Sequence, residues 1–124
     1  MEKSRPMRKA LLVDDEPEIC QLLCNMLQRV GTNCDVAHSV EQARAKLSGS
    51  AYDAVFLDIH LPDGLGYEVI PTVRKHNPRA RLIAISAIDN ENTEAVKAGA
   101  DLFLPKPFTR EVILRSIQQL GFSL

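Results

Sequence analysis

The chain has 124 residues, with 15 basic and 16 acidic side chains, a net charge of −1, 45% hydrophobic residues and 5% aromatic residues. This is the length of one domain, and the near-neutral charge argues against a protein that binds the nucleic-acid backbone directly. The chain contains no apolar run long enough to span a membrane, and residues 1–9 are not expected to act as a signal peptide.

The first part of the chain alternates apolar runs with amphipathic segments. Residues 10–13 predict a strand, and the helix expected from Pro17 carries apolar residues at spacings of three and four until Gly31. A second strand is predicted over 34–37. Ser39 is then expected to cap a second helix.

The same alternation continues through the middle of the chain. Residues 54–57 predict a buried strand that ends in Asp58, and a Pro- and Gly-rich turn over 61–66 follows it. A helix is predicted over 67–76. Pro71 conflicts with that helix unless the helix kinks or begins there.

The last part of the chain predicts two more strand–helix pairs. Residues 82–85 form a strand that ends in Ser86, and a helix is expected over 91–98. A fifth strand is predicted over 102–104. Thr109 is expected to cap the final helix.

Five predicted strands therefore alternate with five predicted helices, a pattern typical of a parallel sheet covered on both faces. We expect an α/β protein, a doubly wound (βα)5 three-layer sandwich. The domain is predicted over residues 9–121, between an N-terminal extension of residues 1–8 and a C-terminal tail of residues 122–124.

Reactive side chains follow four of the predicted strands. Asp14 and Asp15 follow the first, Asp58 the third, Ser86 the fourth and Lys106 the fifth. These groups should meet, because sites in open α/β sheets lie at the carboxyl ends of the strands. Clustered carboxylates are tolerable around a divalent cation such as Mg²⁺. A carboxylate beside Mg²⁺ and an ammonium group can attack phosphorus and form an aspartyl phosphate.

Structural roles are the alternatives. Asp15 is as well suited to capping the next helix as to binding a metal, whereas Asp58 is poorly suited to capping because a turn follows it. Cys20, Cys24 and Cys34 are expected to be reduced, small packing residues of a cytoplasmic protein.

The chain resembles the receiver domain of two-component response regulators from about Lys9 to Gly121. The resemblance rests on the segments LLVDDEP, DAVFLDIHLPDGLGYEV, LIAISA, AGAD and FLPKPF, in the family's order. It implies a flavodoxin-like fold with strand order 2-1-3-4-5. It also implies a signalling module of a phosphorelay, which is not an enzyme beyond slow self-dephosphorylation.

The resemblance implies roles for the residues of the phosphorylation site. Asp58 is similar to the phosphoacceptor, and Lys106 and Ser86 are similar to the residues that assist it. Ser86 and Phe103 are similar to the family's switch pair. The Lys106–Pro107 peptide bond is expected to be cis, as it is in the family.

Metal ligands and partners are implied as well. Mg²⁺ or Mn²⁺ would be held by Asp15, Asp58 and the backbone carbonyl of His60, with Asp14 acting through water. The phosphoryl donor would be a sensor histidine kinase or a histidine phosphotransfer protein. A downstream effector domain or protein would read the face made by the fourth helix, fifth strand and fifth helix. A phosphorylation-dependent homodimer is compatible with this interpretation, and binding to membranes or directly to nucleic acid is not expected.

Two other functions stay open. An aspartyl-phosphate phosphatase or phosphotransferase would need a second carboxylate as acid/base, and the sequence shows none adjacent to Asp58. A degenerate receiver would serve only in interactions.

The stretch from Ser86 to Lys106 is about two residues shorter than is usual in receivers, which predicts a short, weakly packed fourth helix. His60 and Ile88 flank the route of an attacking water molecule, which predicts slow self-dephosphorylation.

Overall fold

A five-stranded parallel sheet forms the centre of the computed structural model, which describes residues 4–88 and 92–123. The strands are β1 (Lys9–Val13), β2 (Asn33–Ala37), β3 (Ala54–Asp58), β4 (Arg81–Ser86) and β5 (Leu102–Pro105). Their order across the sheet is β2-β1-β3-β4-β5, so the order implied by the resemblance is confirmed.

Helices cover both faces of this sheet, which confirms the three-layer sandwich. Helices α1 and α5 pack on one face, and α2, α3 and α4 contribute buried residues to the core on the other. No helix within the described ranges is long and apolar enough to cross a membrane. The helices are α1 (Pro17–Gln28), α2 (Val40–Gly49), α3 (Ile70–His76), α4 (Asn92–Ala98) and α5 (Arg110–Gln119).

Two helices begin at the caps that the sequence predicts. The Ser39 hydroxyl oxygen accepts a hydrogen bond from the Gln42 N–H at 3.1 Å, and the Thr109 hydroxyl accepts one from the Val112 N–H at 3.2 Å. Each cap satisfies an amide that has no partner inside its own helix.

The segment before α3 differs from the predicted helix over 67–76. Residues Gly66–Val69 form a 3₁₀ turn, and the α-helix begins only at Ile70. Pro71 therefore lies in the first turn of α3. A proline is tolerated there because its missing N–H would have no partner in the helix.

The described part of helix α4 is Asn92–Ala98, in which Ala95 is buried whereas Val96 is 56% exposed. The predicted start at residue 91, within the polar stretch 89–91, lies outside the described residues.

The two ends of the described chain meet. Residues Arg5–Pro6 pair in parallel with Phe122–Ser123, and both Met7 and Phe122 are buried in the core beneath α1 and α5. These residues lie in the predicted extension and tail, so parts of both segments pack against the 9–121 domain.

Candidate functional site

Four acidic side chains converge at the carboxyl end of the sheet. Asp14 directly follows β1 and Asp58 ends β3, and both are buried. Asp15 and Glu16 are exposed and continue the chain from Asp14. Each of the four offers an oxygen within 4.8 Å of the others. Asp14, Asp15 and Asp58 are thus brought together as the sequence predicts, and Glu16 joins them without having been predicted.

Lys106 supplies the positive charge of this pocket. Its Nζ lies 2.8 Å from Asp14 Oδ2, 3.1 Å from Glu16 Oε1 and 3.3 Å from Asp58 Oδ2. Burial alone would lower the pKa of the ammonium group, but the hydrogen bonds to Asp14 and Glu16 and the charge of Asp58 raise it above its usual value. Lys106 is therefore a cation held by three carboxylates.

Asp58 is held from two sides. Its Oδ1 accepts a hydrogen bond from the His60 N–H at 3.1 Å, and its Oδ2 faces Lys106. Burial raises the pKa of this carboxyl group, and the nearby charge of Asp14 acts in the same direction, while the His60 and Lys106 contacts oppose them. The ionised form of Asp58 is thus poorly solvated and depends on neighbouring positive charge.

Gly66 packs against the backbone at Asp58. The Gly66 N–H donates to the Ile59 carbonyl at 2.7 Å, which brings the turn after β3 back onto the strand end. A Cβ at position 66 would overlap the Asp58 carbonyl oxygen. The close approach therefore requires glycine at this position.

Ser86 lies at the same edge of the sheet, at the end of β4. It is fully buried, its hydroxyl oxygen accepts the Ile88 N–H at 3.0 Å, and its carbonyl accepts the Lys106 N–H at 2.7 Å. Phe103, on β5, is half-buried and packs against the core on the side of α2, α3 and α4. The Lys106–Pro107 bond is cis, as the resemblance implies.

His38 contacts the site although it is not among the residues predicted for it. Its Nδ1 lies 2.8 Å from the Asp14 carbonyl oxygen, and the Cys20 thiol donates to the same oxygen at 3.4 Å. Because a carbonyl oxygen only accepts, Nδ1 carries the proton. The available signal was topological, since His38 directly follows β2, the neighbour of β1.

The cysteines otherwise behave as packing residues. Cys20, Cys24 and Cys34 are free thiols, the first buried and the other two half-buried. Burial raises the pKa of Cys20 to about 12, so this thiol keeps the proton that it donates to Asp14.

The donor set of the pocket suits a hard divalent cation. The side chains of the acidic cluster offer carboxylate oxygens, which Mg²⁺ and similar ions prefer. Among the described residues, the buried Asp14 Oδ2 is contacted by the Lys106 ammonium group at 2.8 Å and accepts no other hydrogen bond. This carboxylate oxygen can bind a metal ion directly or accept a hydrogen bond from a water molecule that the ion holds.

Sequence comparison agrees with this geometry. A family model described as a response regulator receiver domain matches residues 10–118. The chain belongs to this receiver family. The receiver is 37% identical over 102 residues to PilR of Pseudomonas aeruginosa, covering 81% of this chain and 23% of that protein. It is 35% identical over 111 residues to CpxR of Escherichia coli, covering 88% of this chain and 47% of that protein. The receiver thus spans less than half of these two relatives.

Solved structures extend the comparison. A response regulator of Clostridium difficile matches the receiver with a TM-score of 0.84 and 28% identity, covering 91% of this chain and 94% of that one. TrrA of Thermotoga maritima, solved in complex with Mg²⁺ and BeF, gives a TM-score of 0.82 and 33% identity and covers 92% and 99%. The flavodoxin-like fold is confirmed, and the chain is a phosphorylation-dependent signalling domain of the two-component type.

Proposed function

We propose that the receiver accepts a phosphoryl group on Asp58 from a sensor histidine kinase or a histidine phosphotransfer protein. The observation that carries this proposal is the pocket itself, where Lys106 Nζ lies 3.3 Å from Asp58 Oδ2 and 2.8 Å from Asp14 Oδ2. A nucleophilic carboxylate next to an ammonium group that keeps its proton is the arrangement that phosphoryl transfer needs.

The transfer step involves one bond formed and one broken. A carboxylate oxygen of Asp58 attacks phosphorus, an O–P bond forms, the P–N bond to the donor histidine breaks, and its electron pair returns to the imidazole nitrogen. Lys106 stays protonated because its pKa is raised. Its charge therefore balances the phosphoryl oxygens during transfer.

A divalent cation is part of the proposal. Asp15, Asp58 and the His60 carbonyl would hold Mg²⁺ or Mn²⁺, and Asp14 would act through a water molecule. When bound, the ion supplies charge neutralisation for the phosphoryl oxygens. Within the chain, His38 and Cys20 fix the Asp14 carbonyl, and the His60 N–H fixes Asp58.

Ser86 and Phe103 are proposed as the switch that reads the phosphate. The Ser86 carbonyl oxygen accepts the Lys106 N–H, so Ser86 is directly connected to the residue that supplies the positive charge of the pocket. A movement of the Ser86 hydroxyl would therefore take place next to the pocket. The output would be the α4-β5-α5 face, docking on a downstream effector or on a second receiver. A cytoplasmic location belongs to the proposal and is supported by the three free cysteines.

Intact-mass measurement after incubation with acetyl phosphate and Mg²⁺ tests the acceptor. We expect a gain of one phosphoryl group, which EDTA prevents and which Asp58→Asn abolishes. Glu111→Gln, which removes an exposed carboxylate from α5, should behave as wild type. No Mg²⁺-dependent gain in the wild type would instead indicate a receiver used only for interaction.

The phosphatase alternative is tested in the same samples. Asp14 and Glu16 are close to Asp58, but both carboxylates are already engaged by the Lys106 ammonium group. We expect no multiple-turnover hydrolysis of phosphate monoesters. Turnover that is lost in Asp58→Asn would favour the enzyme.

A further inference from the structure

A second charged region lies at the opposite edge of the sheet. It is a concavity of about 450 Å³ at the amino ends of β4 and β5. Within the described part of the chain, four arginines and one aspartate line it, and these five side chains carry a formal charge of +3. We call it the arginine concavity and define its charged residues as Arg5, Arg74, Arg79, Arg81 and Asp101.

Two of these arginines are fixed in place. Arg74 donates to the carbonyl oxygens of Ala80 and Gly99 at 2.7 and 3.0 Å and pairs with Asp101 at 3.3 Å. Arg5 donates to the Arg79 carbonyl at 3.0 Å and lies over the ring of Phe122. Backbone carbonyls orient these guanidinium groups without neutralising their charge.

The other two arginines keep their donors available. Within the described ranges, the Arg79 side chain makes no hydrogen bond or ion pair, and it is exposed. Arg81 Nη1 forms a long ion pair with Asp101 Oδ1 at 3.9 Å, which is beyond hydrogen-bond distance and leaves its N–H groups able to donate. Asp101 is already used, because its Oδ2 accepts the Leu82 N–H at 2.8 Å and contacts Arg74.

The lining indicates the ligand. Among the described residues, the lining includes no aromatic ring on which a base could stack, and its apolar members are Pro78 and Ala80. Guanidinium groups bind phosphate oxygens in pairs of parallel hydrogen bonds. We propose that the arginine concavity binds a compact polyphosphate group, either free inorganic polyphosphate or the phosphate chain of a nucleotide.

This binding is separate from phosphorylation of Asp58. Arg81 begins β4 and Ser86 ends it, so the concavity and the acidic pocket are about 16 Å apart along the strand at roughly 3.3 Å per residue. The acidic pocket repels polyanions in the absence of a metal ion. The inference therefore stands whether or not Asp58 is the phosphoacceptor.

Isothermal titration with inorganic triphosphate, in EDTA and at low ionic strength, tests the proposal. We expect saturable 1:1 binding that weakens as salt is added. The variant Arg79→Ala/Arg81→Ala should bind at least tenfold more weakly. The control Arg29→Ala/Arg115→Ala removes the same charge from exposed positions on the α1 and α5 side and should leave affinity unchanged.

Two further titrations identify the chemical group that the arginine concavity recognises. ATP should bind within a fewfold of triphosphate, because the concavity contacts only phosphate. A hexaglutamate peptide should bind more weakly than triphosphate. In backbone NMR spectra, shift changes should concentrate at residues 74–82 and 101.

Four results would overturn the proposal. They are the absence of saturable binding, equal loss in both double variants, ATP binding more than tenfold tighter than triphosphate, and tighter binding of hexaglutamate. The second would show a response to net charge alone, the third a base-binding site and the fourth a docking site for acidic peptides.

Discussion

Gly66 touches the backbone of Asp58 so closely that a methyl group there would overlap the Asp58 carbonyl oxygen. We expect Gly66→Ala to lower the free energy of unfolding by about 1–3 kcal/mol through overpacking and to slow phosphorylation by acetyl phosphate. Gly49→Ala is the matched control, because no atom lies within 4 Å of its added Cβ, and it should stabilise α2 by up to about 1 kcal/mol. Urea unfolding measures both. Equal stability of the two variants would contradict the argument.

His38 positions the acidic pocket through a backbone oxygen. We expect His38→Leu to weaken Mg²⁺ binding, measured by calorimetry, by about tenfold, since outer partners of metal ligands have effects of that size. His38→Asn should recover most of the affinity, because the Asn amide can donate where Nδ1 does. A purely structural role would lower the urea midpoint in both variants without separating their Mg²⁺ affinities.

Single side chains are also expected to control how easily water reaches the phosphorylated Asp58. His60 and Ile88 are both exposed near the pocket. The prediction that they obstruct the attacking water molecule means that His60→Asn/Ile88→Asn should shorten the lifetime of the phosphorylated form severalfold, as followed by intact mass. A longer lifetime would reverse the assignment.

At the scale of elements, the turn after β3 holds the start of α2. Asp63 accepts the Val40 and Glu41 N–H groups at 2.8 and 3.1 Å. These hydrogen bonds, the one from Val40 first, lower the pKa of Asp63. The ionised Asp63 carboxylate therefore stabilises the folded state fully at pH values above its ordinary pKa of about 3.9. This stabilisation is lost as the pH falls through the lower pKa that Asp63 has in the folded state.

This effect can be measured with Asp63→Ala. We expect the variant to have a lower urea midpoint than wild type at pH 7, and the difference to shrink below about pH 4. Asp63→Asn keeps an acceptor oxygen but no charge, so its own midpoint should carry no titration of this position. A wild-type advantage that stays constant down to pH 3 would show that Asp63 does not cap α2.

Helix α4 contrasts with α1 in burial. Among the described residues of α4, Ala95 is the buried one, whereas Cys20, Leu23 and Leu27 are buried in α1. We expect faster amide hydrogen exchange in α4 than in α1. Equal protection in the two helices would show that α4 is not weakly packed.

Much of this arrangement follows from local sequence. Apolar runs predict the strands, and the side chains at their ends converge because parallel strands share one edge. Glu16 and His38 escaped prediction because their partners, Lys106 and the Asp14 carbonyl, are distant in the chain. The late start of α3 also depends on context, since the turn held by Gly66 must close before Pro71 can enter a helix.

For the whole molecule, the acidic pocket couples stability to metal binding. Burial and Asp14 disfavour the ionised Asp58, so Asp58→Asn should unfold at higher urea than wild type in EDTA. Mg²⁺ should stabilise the wild type, by about 2.7 kcal/mol at a hundred times its dissociation constant. Asp15→Asn should remove most of that gain. Unfolding unaffected by Mg²⁺ would argue against the metal site.

The pairing of Arg5–Pro6 with Phe122–Ser123 also sets where the chain enters and leaves the domain. Both crossings lie side by side and pack against the core. A short linker between residues 4 and 123 can therefore close the chain, and new termini can open in the loop directly after α2, at residues 50–51. Because its two ends are adjacent, the domain can be inserted into a single loop of another polypeptide.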